Sequence, residues 1–447
     1  MSPTFRSFEQ YNFRLWFFGA VVSNIGTWMQ STAQSWVVLT ELTKNNAAAV
    51  GFTMALQFGP PLLLVTATGW VADRFDRRRI LICTQTAQAV LAFGLGALLL
   101  AGHAQLWQLY VFALLLGIVN AFDTPTRQAF VNELVPNSHV SNAVALNSAS
   151  FNAARLVGPA VAGLLLAVTS SGWVFMINGI SFIAVIGALV LVRGHELHRT
   201  SHSGRAVKMS AGFRYVASRG DLLVGMVIVF LLGAFGMNFP IFASTMAVEF
   251  GVGASGYGLL SSMMAIGSLA GALLSARREQ ARLRVVILGT LAFTIAATGL
   301  AFAPSYAIFA LIAIVMGFSV VTILTTANGY VQTTTAPEVR GRVMAIYMAL
   351  VAGGTPIGAP IAGWVANTFG PRWAIGVAAA AGLLAFGIGV GWFVLVRGLR
   401  LQRHPQRRWA LSVSTTARRD ALAAGFVAPP TSPVSVVTEN IELPRSS

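Results

Sequence analysis

Arg155 is the side chain that asks most of its surroundings. It lies near the middle of an apolar run, 140–168, where a charge costs at least about 2.5–3.5 kcal/mol to insert into a membrane. It therefore needs water or a partner, and no acid stands at a comparable depth: Glu41 and Glu249 lie near one end of their runs and Asp123 near the other. Two roles fit. Arg155 faces a wet cavity and meets an anionic or carbonyl-rich substrate, or it caps backbone carbonyls or reaches Asp123. A second pattern lies in the first apolar run. Ser23, Asn24, Thr27, Gln30, Ser31 and Gln34 fall within an arc of about 120° at about 100° per residue. A polar stripe on a membrane helix faces a cavity or a helix interface rather than lipid. Gln57, Asn152, Asn238, Asn328 and Gln332 complete the uncharged polar set. In the seventh run Gly233, Gly236, Asn238 and Pro240 crowd together; a proline removes a backbone donor and glycines tolerate the bend, which gives a hinge or a static kink.

The stretch Gly69-Trp-Val-Ala-Asp73-Arg74-Phe-Asp76-Arg77-Arg78-Arg79 ends one apolar run and begins the next. A small residue at Gly69 lets two helices approach closely. Asp73 stands where a helix meets water and is suited to the positive amino-terminal end of another helix; the one beginning at Arg340-Gly341-Arg342 starts on the same side. Nothing points to an enzyme. There is no phosphate-cradling GxxxxGK[ST] motif, no metal-ligand spacing of His or Cys, and so no cofactor or metal is expected. Cys83 is the only cysteine, which rules out an intrachain disulfide. The aromatics Trp28, Trp36, Trp107 and Trp173 fit interface anchors.

The elements that must position these residues follow from composition. Of 447 residues, 55% are hydrophobic and 10% charged, where soluble domains carry about 25% charged residues; the mean hydropathy is +0.71. The chain is an all-α, polytopic membrane protein. A span needs about 20 mainly apolar residues, which places helices over 13–40, 48–72, 80–101, 107–124, 140–168 and 172–192, then 221–249, 255–276, 284–303, 306–333, 341–366 and 371–397. Twelve spans put both termini on one side. Arginines choose the side: Arg74 and Arg77 to Arg79, Arg193 to Arg219, Arg277, Arg278 and Arg282 follow even-numbered runs, with Arg127 and Arg340 on the same side, against little beyond Lys44 and Arg372 opposite. Both termini are expected in the cytoplasm. The net charge of +16 thus reflects orientation and anionic lipid headgroups, not nucleic acid. Met1 to Tyr11 is polar and leads into a long run containing Asn24, Gln30 and Gln34, unlike a cleaved signal peptide.

The expected organisation is a six-helix half over 1–192, a basic linker over 193–220 that includes an amphipathic surface helix, a second six-helix half over 221–397, and a basic disordered tail over 398–447. The halves are related. A shift of 200 positions lays Gly158-Pro-Ala-Val-Ala-Gly163 on Gly358-Ala-Pro-Ile-Ala-Gly363 and Trp173 on Trp373. Such a parallel repeat belongs to transporters whose substrate site lies between the halves.

The Gly69–Arg79 stretch resembles motif A of the major facilitator superfamily, with Asp76 where that family usually has glycine. Together with Asn12-Phe-Arg-Leu-Trp and Ser23-Asn-Ile-Gly-Thr-Trp-Met-Gln, it resembles the bacterial exporter branch, the transmembrane secretion effector type, which includes the enterobactin exporter. The resemblance covers about residues 7–397 and implies a twelve-helix major facilitator fold of two pseudo-symmetric halves in a bacterial cytoplasmic membrane. It implies alternating access, export of drug-like or siderophore-like small molecules, a proton counter-ion and a monomer. It also implies residue roles. Gly69, Asp73, Arg74, Arg77, Asp123 and Arg342 form a conformational latch closed in the outward-facing state, with Arg77 meeting Asp123; the other reading is solvated loop charges. Asn24, Gln30, Gln34, Gln57, Asn152, Arg155, Asn238 and Asn328 line the substrate cavity, with interhelical bonding as the alternative for the first helix. Gly158-Pro159 resembles the glycine/proline motif of exporters and antiporters, and Gly158, Pro159, Pro240 and Pro356 are the hinge candidates. An importer of a small polar solute and a non-transporting receptor or scaffold are the rival functions.

Overall fold

Prolines and polar side chains decide where the long apolar runs bend. The computed structural model describes residues 3–198, 210–278, 280–397, 400–403 and 411–414. The side chains of Thr66, Gly69, Trp70, Ala72 and Asp73, and of residues 3, 4, 396, 397 and the two strands, lie outside the description. In the first part of the chain the helices are α1 (Tyr11–Trp36), α2 (Ala47–Leu63), α3 (Val65–Arg74), α4 (Arg77–Leu100), α5 (Leu106–Glu133), α6 (Val140–Val168) and α7 (Ser171–Leu191). After a short linker helix, α8 (Ser210–Ser218), come α9 (Gly220–Leu231), α10 (Phe239–Glu249), α11 (Gly253–Ala276), α12 (Leu283–Ala301), α13 (Tyr306–Thr334), α14 (Pro337–Phe369) and α15 (Pro371–Arg397). Among the described residues, ten helical stretches are long and apolar enough to cross a membrane. The polar stripe of α1 and the break after α2 keep those two out of that set.

The breaks have local causes. Pro60 and Pro61 lie inside α2 and lack the N–H that would continue its ladder; Leu64 leaves helical geometry with φ −94° and ψ 6° before α3 resumes. The seventh run, expected as one helix over 221–249, divides into α9 and α10 around a wide turn, Leu232–Gly236. Asn238 Nδ2 donates to the Ala234 carbonyl freed there, at 2.6 Å. Pro240 stands in the first turn of α10, where it starts a helix rather than bending one. By contrast α6 runs on through Pro159 and α14 through Pro356. The fourth run, expected to stop at 124, continues nine residues further to Glu133. Arg127 is therefore on a helix and not in a loop, and its partner is Asp123 one turn earlier, at 2.8 Å. In the linker, 199–209 lie outside the described residues, while α8 buries Gly212 and Val216 against α14. Within 398–447, expected without regular structure, two strands, Arg400–Arg403 and Leu411–Ser414, pair antiparallel.

Two sets of helices account for the chain up to Ile388. In the first, α1 packs on α6 and α7, α4 on α5 and α7, and α2 on α5; in the second, α11 and α12 pack on α13, and α14 on the α9–α10 break. The sets meet mainly through α2 with α14 and through α6 with α11. Both seams run through glycines, because only there can one backbone reach another. A side-chain carbon at Gly258 would strike the carbonyl of Pro159, and one at Gly51 the carbonyl of Ala359. A turn further on, Gly163 faces the Ala254 carbonyl at 3.1 Å, and Gly363 the Ala47 carbonyl at 2.5 Å, both measured from where a Cβ would stand. These pairs are related by the 200-position repeat: Pro159 answers to Ala359 and Gly163 to Gly363. All lie toward the end of the bundle opposite the arginine-rich turns.

Because the seams admit no Cβ, Gly51→Leu or Gly258→Leu should force them apart. In a Cys83→Ser background, spin labels at His103→Cys and Ser305→Cys, exposed loops of the two sets at the seam end, should move several ångströms apart by double electron–electron resonance. Unchanged distances in both variants would mean that the seam does not set this conformation.

Candidate functional site

Toward the arginine-rich end the two sets part, and α6 records the change. Leu164 and Val168, both highly exposed, mark its outward side. On the opposite side, Pro159, Ala162 and Gly163 are buried in the seam region, whereas Phe151, Ser148 and Val144, about two to four turns before Pro159 and nearer the arginine-rich end, are exposed. A space therefore opens below the seam, bounded by α6 and reaching the arginine-rich end. Ser262 of α11 donates to the Leu156 carbonyl of α6 at 3.0 Å and marks its upper limit.

The polar stripe of α1 divides over this space. Gln30 is buried and accepts from Asn178 Nδ2 of α7 at 2.6 Å. Gln34 is buried and donates to Gln57 of α2 at 3.0 Å. These three amides, expected in the cavity, are instead interhelical bonds, because burial without a partner would cost each several kcal/mol in hydrocarbon. Asn24, Thr27 and Ser31 are half-buried or exposed and lie on the side of α1 away from the outward-facing Phe18 and Val22. Asn238, also expected in the cavity, is fully buried at the α9–α10 break, where its side-chain amide serves the backbone. Asn152 donates to Ser148 of its own helix at 2.8 Å, and Asn328 accepts from Gln332 at 2.7 Å on a solvent- or lipid-accessible part of α13.

Arg155 stands at the top of the open space. It is half-buried, with its guanidinium over the Trp28 indole at 5.4 Å from the ring centroid. Phe151 meets that indole edge-on at 5.6 Å. Arg155 does not reach Asp123, which is taken up by Arg127, by Thr84 at 2.7 Å and by Gln85 at 2.7 Å. A Cβ at Gly158, the next turn of α6, would strike the Trp28 Cβ and crowd the Ile25 carbonyl and the Met29 N–H, so α1 passes close against α6 here. α1 and α6 therefore hold Trp28 and Arg155 in fixed register.

At the arginine-rich end the expected cluster is rearranged. Arg77 pairs not with Asp123 but with Glu133 at the end of α5, at 2.5 Å. Glu133 lies beyond residue 124, where the apolar run is expected to end, and is brought to Arg77 by the continuation of α5. Asp76 caps α4 by accepting from the Arg79 N–H at 3.0 Å, and Arg78 donates to the carbonyls of Leu189 and Val190 at 2.7 and 2.8 Å, closing the end of α7. The side chains of Gly69 and Asp73 lie outside the described residues. Arg74 ends α3. Arg342 packs beside Gly212 of α8. The second set has its own cluster, unforeseen from sequence: Arg219 holds Asp221 in a fork at 2.6 and 2.8 Å, and Tyr330 donates to the same carboxylate at 2.7 Å.

A family model described as "Transmembrane secretion effector" matches residues 2–418. The staphyloferrin A transporter of Staphylococcus aureus is 27% identical over 352 residues, 77% of this chain and 87% of that protein. The putative multidrug resistance protein MdtD of Yersinia pseudotuberculosis is 29% identical over 136 residues, 30% of this chain and 28% of that protein. Among solved structures, a mutant of the nucleoside transporter NupG superposes with a TM-score of 0.69 at 13% identity, over 86% of this chain and 99% of that one. A bacterial homologue of the lysosomal transporter Spinster, inward-facing and occupied, gives 0.64 at 16% identity, over 87% and 97%. At such identities the structures speak to the fold.

The Arg77–Glu133 pair is nearly buried, with side chains 12% and 10% exposed, so replacing either side chain breaks an ion pair largely shielded from water. Arg77→Gln and Glu133→Gln should each lower stability by about 3 kcal/mol, and the double variant should lose little more. Unfolding midpoints of the three purified variants test this, and strictly additive losses would show that the two side chains act independently.

Proposed function

The chain belongs to the transmembrane secretion effector family of the major facilitator superfamily, and from that premise we propose that it exports small molecules across the bacterial cytoplasmic membrane by alternating access. In this proposal the helices make twelve spans, α2 with α3 and α9 with α10 each counting as one, and the protein works as a monomer driven by proton entry. The arginine bias puts the arginine-rich end and both termini in the cytoplasm. The observation that carries the proposal is the asymmetry along α6. Its inner side is sealed by glycine contacts at one end and exposed at the other, so in this conformation the space between the two sets has access from one face. With the arginine-rich end in the cytoplasm, the conformation is the one in which an exporter loads. Its cargo is of the siderophore-like or drug-like kind that the staphyloferrin A and multidrug relatives suggest. The cavity surface of Asn24, Thr27, Ser31, Trp28, Phe151, Asn152 and Arg155 supports such a cargo, being aromatic and polar with one cation.

Flux in inside-out vesicles tests the proposal, with a panel of dyes, drugs and siderophores. Accumulation that requires a proton gradient and collapses with an uncoupler is the expected result, with loss in Asp73→Asn. Uptake confined to right-side-out vesicles would replace the exporter by an importer, and gradient-independent movement would remove the proton.

A further inference from the structure

Arg155 ends the open space as a cation with no anion of its own. Helical residues advance by about 100° each, which sets Arg155 directly across α6 from Leu164, 67% exposed on the outward side. Among the described residues no side chain or carbonyl accepts a hydrogen bond from its guanidinium; its contact is the Trp28 face at 5.4 Å. A ring face engages the charge but leaves five N–H donors without acceptors. Among the described residues, the acids near the ends of the spans are engaged elsewhere. Asp123, Glu133, Asp221 and Glu249 are bound to Arg127, Arg77, Arg219 and Arg372, and Glu41 accepts from Ser171 at 2.6 Å near the opposite end.

We propose that Arg155, Trp28 and Phe151 form the anion subsite of the transport cavity, and that it takes a planar organic carboxylate. The fork of a guanidinium matches a carboxylate with two parallel hydrogen bonds. Trp28 and Phe151, edge to face at 5.6 Å, supply the apolar wall against which a flat group lies. A phosphate monoester, which carries more than one charge at neutral pH, fits less well: among the described residues Arg155 is the one cation near the middle of a span, and the other arginines lie toward helix ends or in loops. The subsite rests on the transporter reading for its purpose but not for its chemistry, so the two are separable.

The full chain in lipid nanodiscs is titrated with hippurate, a planar aryl carboxylate, and with its neutral amide, by isothermal calorimetry. The wild type should bind hippurate at least tenfold more tightly than the amide. Arg155→Gln should erase that preference, and Arg155→Lys, which keeps the charge without the fork, should retain a part of it, with unfolding midpoints reporting that each variant is folded. Equal affinity for acid and amide in the wild type overturns the subsite, as does an undiminished preference in Arg155→Gln. If Arg155→Gln does not fold, Arg155→Lys decides: a preference as strong as that of wild type overturns the role of the fork. Vesicle flux separates the two proposals. Arg155-dependent binding with no movement of hippurate in either direction removes the exporter and leaves the subsite. Export of acid and amide alike, unchanged in Arg155→Lys, removes the subsite and leaves the exporter.

Discussion

Backbone reaches backbone only where no Cβ stands between, and this constraint decides where the two helix sets touch. In hydrocarbon there is no hydrophobic drive to bring helices together, so close packing of small residues must do it. Gly51, Gly163, Gly258 and Gly363 supply that packing at one end. Contacts of Cα–H with carbonyl oxygen, worth about 0.5–1 kcal/mol each, add up over two seams to a few kcal/mol. That is a scale on which two conformations can stay balanced. Toward the arginine-rich end the sets diverge, and the open space follows from that geometry.

Polar groups are sorted by whether a partner lies within reach. Gln30, Gln34 and Gln57 find amides on neighbouring helices and vanish into the interfaces. Asn238 is consumed by the carbonyl that the α9–α10 break exposes. The acids and most arginines gather at helix ends, where they pair with one another or cap backbone, as Arg78 does for α7. What is left facing the open space is the small residue of this sorting: Asn24, Thr27, Ser31 and Arg155. An accessible side chain whose donors meet no acceptor in the protein is where a ligand contributes most, since binding then adds hydrogen bonds without breaking protein ones.

Much of this was legible in the sequence. The run lengths gave the helices, the arginines gave the sided turns, and the 200-position repeat of Gly158–Gly163 on Gly358–Gly363 marked the segments that form the two seams. The depth of Arg155 alone announced a special environment. Other features were hidden for physical reasons. Nine polar-rich residues after 124 read as loop, yet they continue α5 because Asp123 and Arg127 neutralise each other one turn apart, so Glu133 and its bond to Arg77 were missed. The six polar residues of α1 share one arc by angle, but spacing cannot tell which half of an arc meets a neighbouring helix; Gln30 and Asn24 differ only in what lies opposite. Asp221 and Tyr330 are 109 positions apart, and no local pattern joins them.

The position of Arg155 relative to the seam has a mechanical consequence. Trp28 and Arg155 both belong to the first set, and α1 lies so close to α6 at Gly158 that a Cβ there would strike Trp28. The pair therefore moves as one body. What crosses between the sets at this level is the Ser262–Leu156 hydrogen bond and, above it, the approach of Gly258 to Pro159. Parting the seam removes those contacts from the roof of the open space while leaving Trp28 and Arg155 in register. A ligand seated there keeps its partners and changes only the side from which water reaches it. In the proposed alternating-access cycle that is the requirement for carrying a bound molecule across: the first set would hold the site, and the second would decide which way it opens.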